Sequence, residues 1–142
     1  MKTKVLLVDD EQEFVEALAQ RLELRNYSVT TAFSGETAVE IAEKTEFDVV
    51  ILDVLMPGMS GIEALKRIKA INPTLPVVML TGKATVSNAI EGMKLGALDF
   101  LMKPADTGLL VEKIDQAHDI KKAHDERIRQ AEIKHILGTR GW

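Results

Sequence analysis

Three carboxylates, one hydroxyl and one ammonium group stand at the ends of short apolar runs in this chain. Asp9 and Asp10 close "KVLLVDD", Asp53 closes "DVVILD", Thr81 closes "PVVMLT" and Lys103 follows "DFLM". A charged carboxylate beside an apolar run costs free energy unless it is paired, hydrated or bound to a metal, so the placement of Asp53 asks for a reason. If the runs are strands pointing the same way, these groups land on one rim. Three carboxylates converging there repel one another, and the cheapest resolution is a hard divalent cation with oxygen ligands, Mg²⁺, with the Lys103 ammonium nearby. The sequence holds no cysteine, which excludes disulfides, thiol catalysis and cysteine-ligated zinc. His118, His124 and His135 are separated by six and eleven residues, which does not place them on one helical turn as a metal site needs, and they read as solvated positions.

The rim requires elements to build it. Apolar runs at 4–10, 27–32, 48–53, 76–81 and 99–103 imply five short strands. Between them, 11–25, 34–44, 61–71 and 85–95 carry apolar residues at three and four spacing, as Phe14, Leu18 and Leu22 do, and Ser34 and Thr85 sit where helix caps belong. Continuously apolar strands alternating with amphipathic helices predict a doubly wound α/β fold, a parallel sheet with helices on both faces. Ligands in such sheets bind at the carboxyl ends of the strands, at the switch in strand order.

At 142 residues the chain fits one domain, and 46% hydrophobic with 28% charged residues is a globular composition. There is no apolar run of membrane-spanning length, and only four apolar residues follow Met1-Lys2-Thr3-Lys4, so neither a span nor a signal peptide is expected and a cytoplasmic location is the default. Up to residue 117 the chain has 12 basic against 18 acidic residues, and beyond it 6 against 4. An acidic body argues against direct nucleic-acid binding, and the small surplus in the tail does not reverse that.

Taken in order, the pair Asp9-Asp10, Asp53 followed by "VLMPGMSG", "MLTG" with Thr81 and "FLMKP" with Lys103-Pro104 resemble the receiver domain of two-component response regulators, over roughly residues 3–117. Each motif alone is weak; all of them in order at the ends of four of the five strands are specific. The resemblance implies a flavodoxin-like five-stranded sheet of order 2-1-3-4-5. It also implies that Asp53 is the phosphoacceptor, taking a phosphoryl group from a sensor histidine kinase or phosphotransfer protein. Asp10, Asp53 and the backbone carbonyl of Leu55 then hold Mg²⁺, with Asp9 reaching it through water. Lys103 pairs with the phosphoryl group, and the Lys103–Pro104 peptide is cis. Thr81 donates its hydroxyl to the new phosphoryl oxygen, and Phe100 turns inward as the switch aromatic, changing the surface offered to a downstream protein. In receivers, the residues two after the acceptor and two after the threonine flank the path of the hydrolysing water; here they are Leu55 and Lys83. An apolar Leu55 is expected to shield the phosphoryl group.

Blander roles stand beside these. Asp9 and Asp10 could cap the helix that follows, Thr81 could satisfy a turn, Lys103 could be solvated and Phe100 could be core alone. The five methionines 56, 59, 79, 93 and 102 read as packing and partner surface. Residues 1–117 are expected to form the receiver, and 118–142 a helical extension or linker broken only at Gly138. A heptad count puts Leu110, Ile114, Ala117, Lys121, His124, Ile128, Ala131 and His135 on one seam, where a lysine and two histidines spoil a coiled coil. The tail therefore reads as an exposed helix, the alternative being that Ile128, Ile133, Ile136, Leu137 and Trp142 form a docking or homodimerisation element. Three functions remain: a stand-alone receiver that binds a partner or relays phosphate, the N-terminal receiver of a longer transcriptional regulator, and a haloacid-dehalogenase-like phosphatase. The third needs a second aspartate two residues after the nucleophile, where this chain has Leu55.

Overall fold

The computed structural model describes residues 2–82, 85–104 and 106–139. Five parallel strands, β1 (Lys4–Val8), β2 (Ser28–Ala32), β3 (Val49–Leu52), β4 (Val77–Thr81) and β5 (Asp99–Met102), form one sheet of order β2-β1-β3-β4-β5. The order follows from composition. β3 and β4 are buried along their whole length and β1 in all but its first residue, so they take the centre, while the threonine-bearing β2 and the partly exposed β5 take the edges.

The helices α1 (Gln12–Leu24), α2 (Gly35–Lys44), α3 (Gly61–Ile71), α4 (Val86–Lys94) and α5 (Thr107–Thr139) alternate with the strands. Strand side chains alternate between faces, and each face carries its own core. Leu6, Leu52 and Met79 face α2 and α3, with Ile62, Leu65 and Ile68 against them. Leu7, Ile51 and Leu80 face α1 and α5, with Leu18, Leu22 and Ile114 against them. The starts of α2, α3 and α4 are fixed locally: Ser34 accepts the Thr37 N–H at 3.1 Å, Ser60 accepts that of Glu63 at 3.2 Å, and Thr85 exchanges bonds with Asn88 in a capping box.

α5 departs from its expected end. It continues through Gly138 to Thr139, because a glycine inside a helix costs only about 1 kcal/mol relative to alanine and does not forbid it. Its first turns dock through Leu110, Ile114 and Ala117, all buried, whereas from Asp125 to Leu137 every residue is exposed. The seam anticipated by the heptad count is therefore buried only at its first three positions, with Lys121 and His124 partly buried and the rest exposed. Trp142 and Lys83 lie outside the described residues. Among the described residues no helix is long and apolar enough to cross a membrane.

Candidate functional site

Register brings the polar strand ends together. Val8 of β1 lies beside Leu52 of β3, and the next residues close the pairing: Asp53 N–H donates to the Val8 carbonyl at 3.0 Å and Asp9 N–H to that of Ala32 at 3.1 Å. On the other side of β3, Thr81 ends β4 opposite Met102, and Lys103 N–H donates to the Thr81 carbonyl at 2.9 Å. Parallel strands of matched length thus deliver Asp9, Asp53, Thr81 and Lys103 to one rim, as the sequence predicts.

Asp9, Asp10 and Asp53 can each offer an oxygen such that all lie within 4.8 Å of one another. Asp9 and Asp53 are buried at 2% and 5% exposure, and Asp10 is exposed. The Asp53 Oδ1 atom is buried with no hydrogen-bond partner among the described residues. Such an orphaned oxygen is rare in a native fold and calls for an ion or water. Burial, reinforced by the neighbouring Asp9 charge, pushes the Asp53 carboxyl above its ordinary range, against a hydrogen bond from Thr81, the Lys103 charge and the Val54 N–H. The donor set is all oxygen, as a hard divalent cation needs, and the residues present fit one.

Helix capping does not account for the acidic pair. The residue at the N-cap of α1 is Glu11, whose side chain makes no cap bond, while Asp9 Oδ1 accepts the Glu11 N–H at 3.0 Å. Lys103 is not solvated. Its side chain is 12% exposed, and Nζ lies 2.5 Å from Asp9 Oδ2 and 3.3 Å from Glu11 Oε1. Burial draws its pKa down, but the bond to Asp9 and the charges of Asp9 and Asp53, with Glu11, outweigh that and hold it above the usual lysine range. The Lys103–Pro104 peptide is cis. Thr81 is buried at 1% exposure. Phe100 is half-buried against the core, near the backbone of Gly92 in α4. Leu55 is 46% exposed in the loop that follows Asp53.

Three features of the site escape a reading by motif. The Phe14 ring lies beneath Lys103, with Nζ 4.1 Å from its centroid; its spacing with Leu18 and Leu22 carries only a core signal. Gly61 lets the start of α3 pass against the end of β3, where a Cβ would fall 1.8 Å from the Asp53 carbonyl oxygen. Glu36 of α2 accepts the Met59 N–H at 2.8 Å beside Gly58, whose φ is +74°. That bond ties the loop after Asp53 to a neighbouring helix.

Known proteins resemble this chain in sequence and in fold. Residues 5–115 match the response regulator receiver domain family. The transcriptional regulatory protein ZraR of Salmonella typhimurium is 40% identical over 116 residues, 82% of this chain but 26% of its own length. The probable transcriptional regulatory protein TcrX of Mycobacterium tuberculosis is 40% identical over 100 residues, 70% of this chain and 43% of its own. The chain therefore spans about a quarter to a half of the curated relatives it matches. Among solved structures, a CheY-like receiver domain protein from Methanospirillum hungatei superposes with a TM-score of 0.84 at 27% identity, covering 87% of this chain and 99% of that one. A receiver domain protein from Clostridium thermocellum superposes with a TM-score of 0.81 at 36% identity, covering 85% and 98%. By its sheet order, its rim of acidic, hydroxyl and ammonium groups and these matches, the chain belongs to the response regulator receiver domain family of two-component signalling.

Proposed function

We propose that Asp53 is the phosphoacceptor and that its phosphorylation switches the surface this receiver offers to a downstream protein. The observation that carries this reading is the buried Oδ1 of Asp53, without a hydrogen-bond partner among the described residues and set between Thr81, Lys103 and two further carboxylates. A carboxylate held so is a nucleophile whose charge is tolerated for a purpose. The Asp53 oxygen forms a bond to phosphorus as the bond from phosphorus to the donor imidazole nitrogen of a sensor histidine kinase or phosphotransfer protein breaks, and the leaving nitrogen keeps the electron pair. Asp10, Asp53 and the Leu55 carbonyl would hold Mg²⁺, with Asp9 as the further carboxylate of the cluster. When bound, the ion neutralises phosphoryl oxygens during in-line transfer. Lys103 moves its ammonium from Asp9 to the phosphoryl group, and the Thr81 hydroxyl turns from the carboxylate to a phosphoryl oxygen. The resulting inward pull on the β4–α4 loop favours an inward rotamer of Phe100, now only half-buried.

Residues 1–117 are the switching unit in this reading, because Ala117 is the last buried residue of α5 among those described, and 118–142 are its extension, helical as far as Thr139. The relatives named as transcriptional regulators support a second reading, in which this receiver works as the N-terminal part of a longer transcriptional regulator. In either case the acidic domain itself does not contact nucleic acid, and it acts in the cytoplasm. Intact-mass spectrometry after incubation with acetyl phosphate tests the chemistry. A single phosphoryl adduct that requires Mg²⁺ and is absent from Asp53→Asn is expected; an adduct on the variant, or none on the wild type, overturns it.

A further inference from the structure

The geometry points to Phe14 as a positioning residue for phosphoryl transfer, holding the Lys103 ammonium over the acceptor site through the face of its ring. This inference rests on the role proposed for Lys103. Among the described residues three groups hold that ammonium: Asp9 at 2.5 Å, Glu11 at 3.3 Å and the Phe14 ring at 4.1 Å from Nζ to centroid. They differ in what happens when a phosphoryl group arrives. Asp9 must give up part of its charge to the metal site, and Glu11, exposed at the rim, competes with the phosphoryl oxygens for the same cation. The ring carries no charge and competes with nothing. Its negative face still attracts an ammonium, and more strongly for a side chain as desolvated as Lys103.

Position supports the assignment. An amphipathic helix such as α1 ordinarily sinks its apolar residues into the core, and Val15, Leu18, Ala19 and Leu22 are buried there. Phe14 is only half-buried, packed against that core at one edge while its ring meets Lys103. It is one turn beyond Glu11, so α1 starts with a two-part cradle directly after the acidic pair. The long lysine stem has four rotatable bonds, and a fixed platform beneath its tip reduces the conformations it must search before meeting a phosphoryl oxygen.

The test is the rate of phosphorylation of Asp53 by acetyl phosphate, at saturating Mg²⁺, in wild type, Phe14→Leu, Phe14→Tyr, Lys103→Ala and the double variant Phe14→Leu/Lys103→Ala. Leucine keeps the packing and removes the ring. Phe14→Leu is expected to react roughly three- to tenfold more slowly, with Mg²⁺ affinity by calorimetry unchanged, and Phe14→Tyr is expected to restore the rate. In the Lys103→Ala background the leucine substitution is expected to have no further effect, a result a purely structural role does not produce. If Phe14→Leu matches the wild type while Lys103→Ala is slow, the positioning role is wrong and the lysine's role stands. If Lys103→Ala itself matches the wild type, the role proposed for the lysine falls, and this inference with it. An equal loss from Phe14→Leu in both backgrounds overturns the inference in favour of general packing.

Discussion

The rim of the sheet and the far half of α5 are made of the same kinds of residue and treat them in opposite ways. At the rim, Asp9, Asp53 and Thr81 are buried, Lys103 is nearly so, and one carboxylate oxygen has no hydrogen-bond partner among the described residues. In the far half of α5, Glu126 and Arg129 pair at 3.3 Å across open surface, and Ile128, Ile133, Ile136 and Leu137 are about half-exposed beside them. Buried charge is expensive and is kept where it does chemistry, whereas charge on a solvated helix is nearly free. The difference teaches that residue type alone says little here; what counts is whether tertiary packing has removed the water.

Two isoleucines of α5 give the sharpest contrast. Ile114 is fully buried between α1 and the sheet, and Ile133 is 44% exposed. Ile114→Ala is expected to lower unfolding stability by about 2–5 kcal/mol, and Ile133→Ala to change it by less than about 0.5 kcal/mol, both read by urea denaturation. Comparable losses would show that the far half packs in solution and would erase the distinction.

At the rim itself the next effect is kinetic. Leu55 stands exposed two residues after Asp53, the proposed acceptor, and Leu55→Asn, which can orient a water toward a phosphoryl group there, is expected to shorten the aspartyl phosphate lifetime by roughly tenfold, about 1.4 kcal/mol in barrier. Dephosphorylation followed by mass spectrometry decides it; a lifetime unchanged or lengthened counts against shielding by leucine.

Smaller still is the bond that pins α5 where it is still docked. The Tyr27 hydroxyl donates to Asp115 Oδ1 at 2.6 Å. Burial, with the Asp115 bond and charge and against Arg25, pushes the Tyr27 pKa up to about 12. The folded state thus favours the neutral phenol. Its contribution is complete below the unfolded value of about 10 and is lost as pH rises from there through about 12. Tyr27→Phe is expected to cost about 1 kcal/mol at neutral pH and to flatten the alkaline fall in stability, measured by denaturation at several pH values. A variant with an alkaline profile as steep as the wild type's would exclude Tyr27 as its source. At the bottom of the scale, Glu126→Ala is expected to alter stability by less than about 0.5 kcal/mol, since it breaks only an exposed pair, and a larger loss by urea denaturation would place this pair in a packed interface.

Much of this architecture can be read from spacing. The runs at 48–53 and 76–81 announce central strands because they are continuously apolar, and Ser34 and Thr85 mark helix starts because their hydroxyls satisfy open amides. The rim residues are legible for the same reason: parallel strands of similar length end together, so a polar residue after each apolar run must join its neighbours. Phe14 was not legible. Its three-and-four spacing with Leu18 and Leu22 reads as core, and only the arrival of Lys103, 89 positions later in the chain, makes its face a platform. Gly138 misled in the other direction, since a helix whose last turns are solvated can carry a glycine at small cost.

The sequence by itself determined the alternation of strands and helices, their caps and the set of groups on the rim, because each depends on local periodicity and on the next few residues. The tertiary structure alone decided which partner each rim group takes: Lys103 on Asp9 and Glu11 rather than in water, Asp53 with an oxygen unpartnered among the described residues, Glu36 on the loop after Asp53. Such choices depend on distances between residues far apart in the chain and on the water excluded around them, and neither quantity exists until the chain has folded.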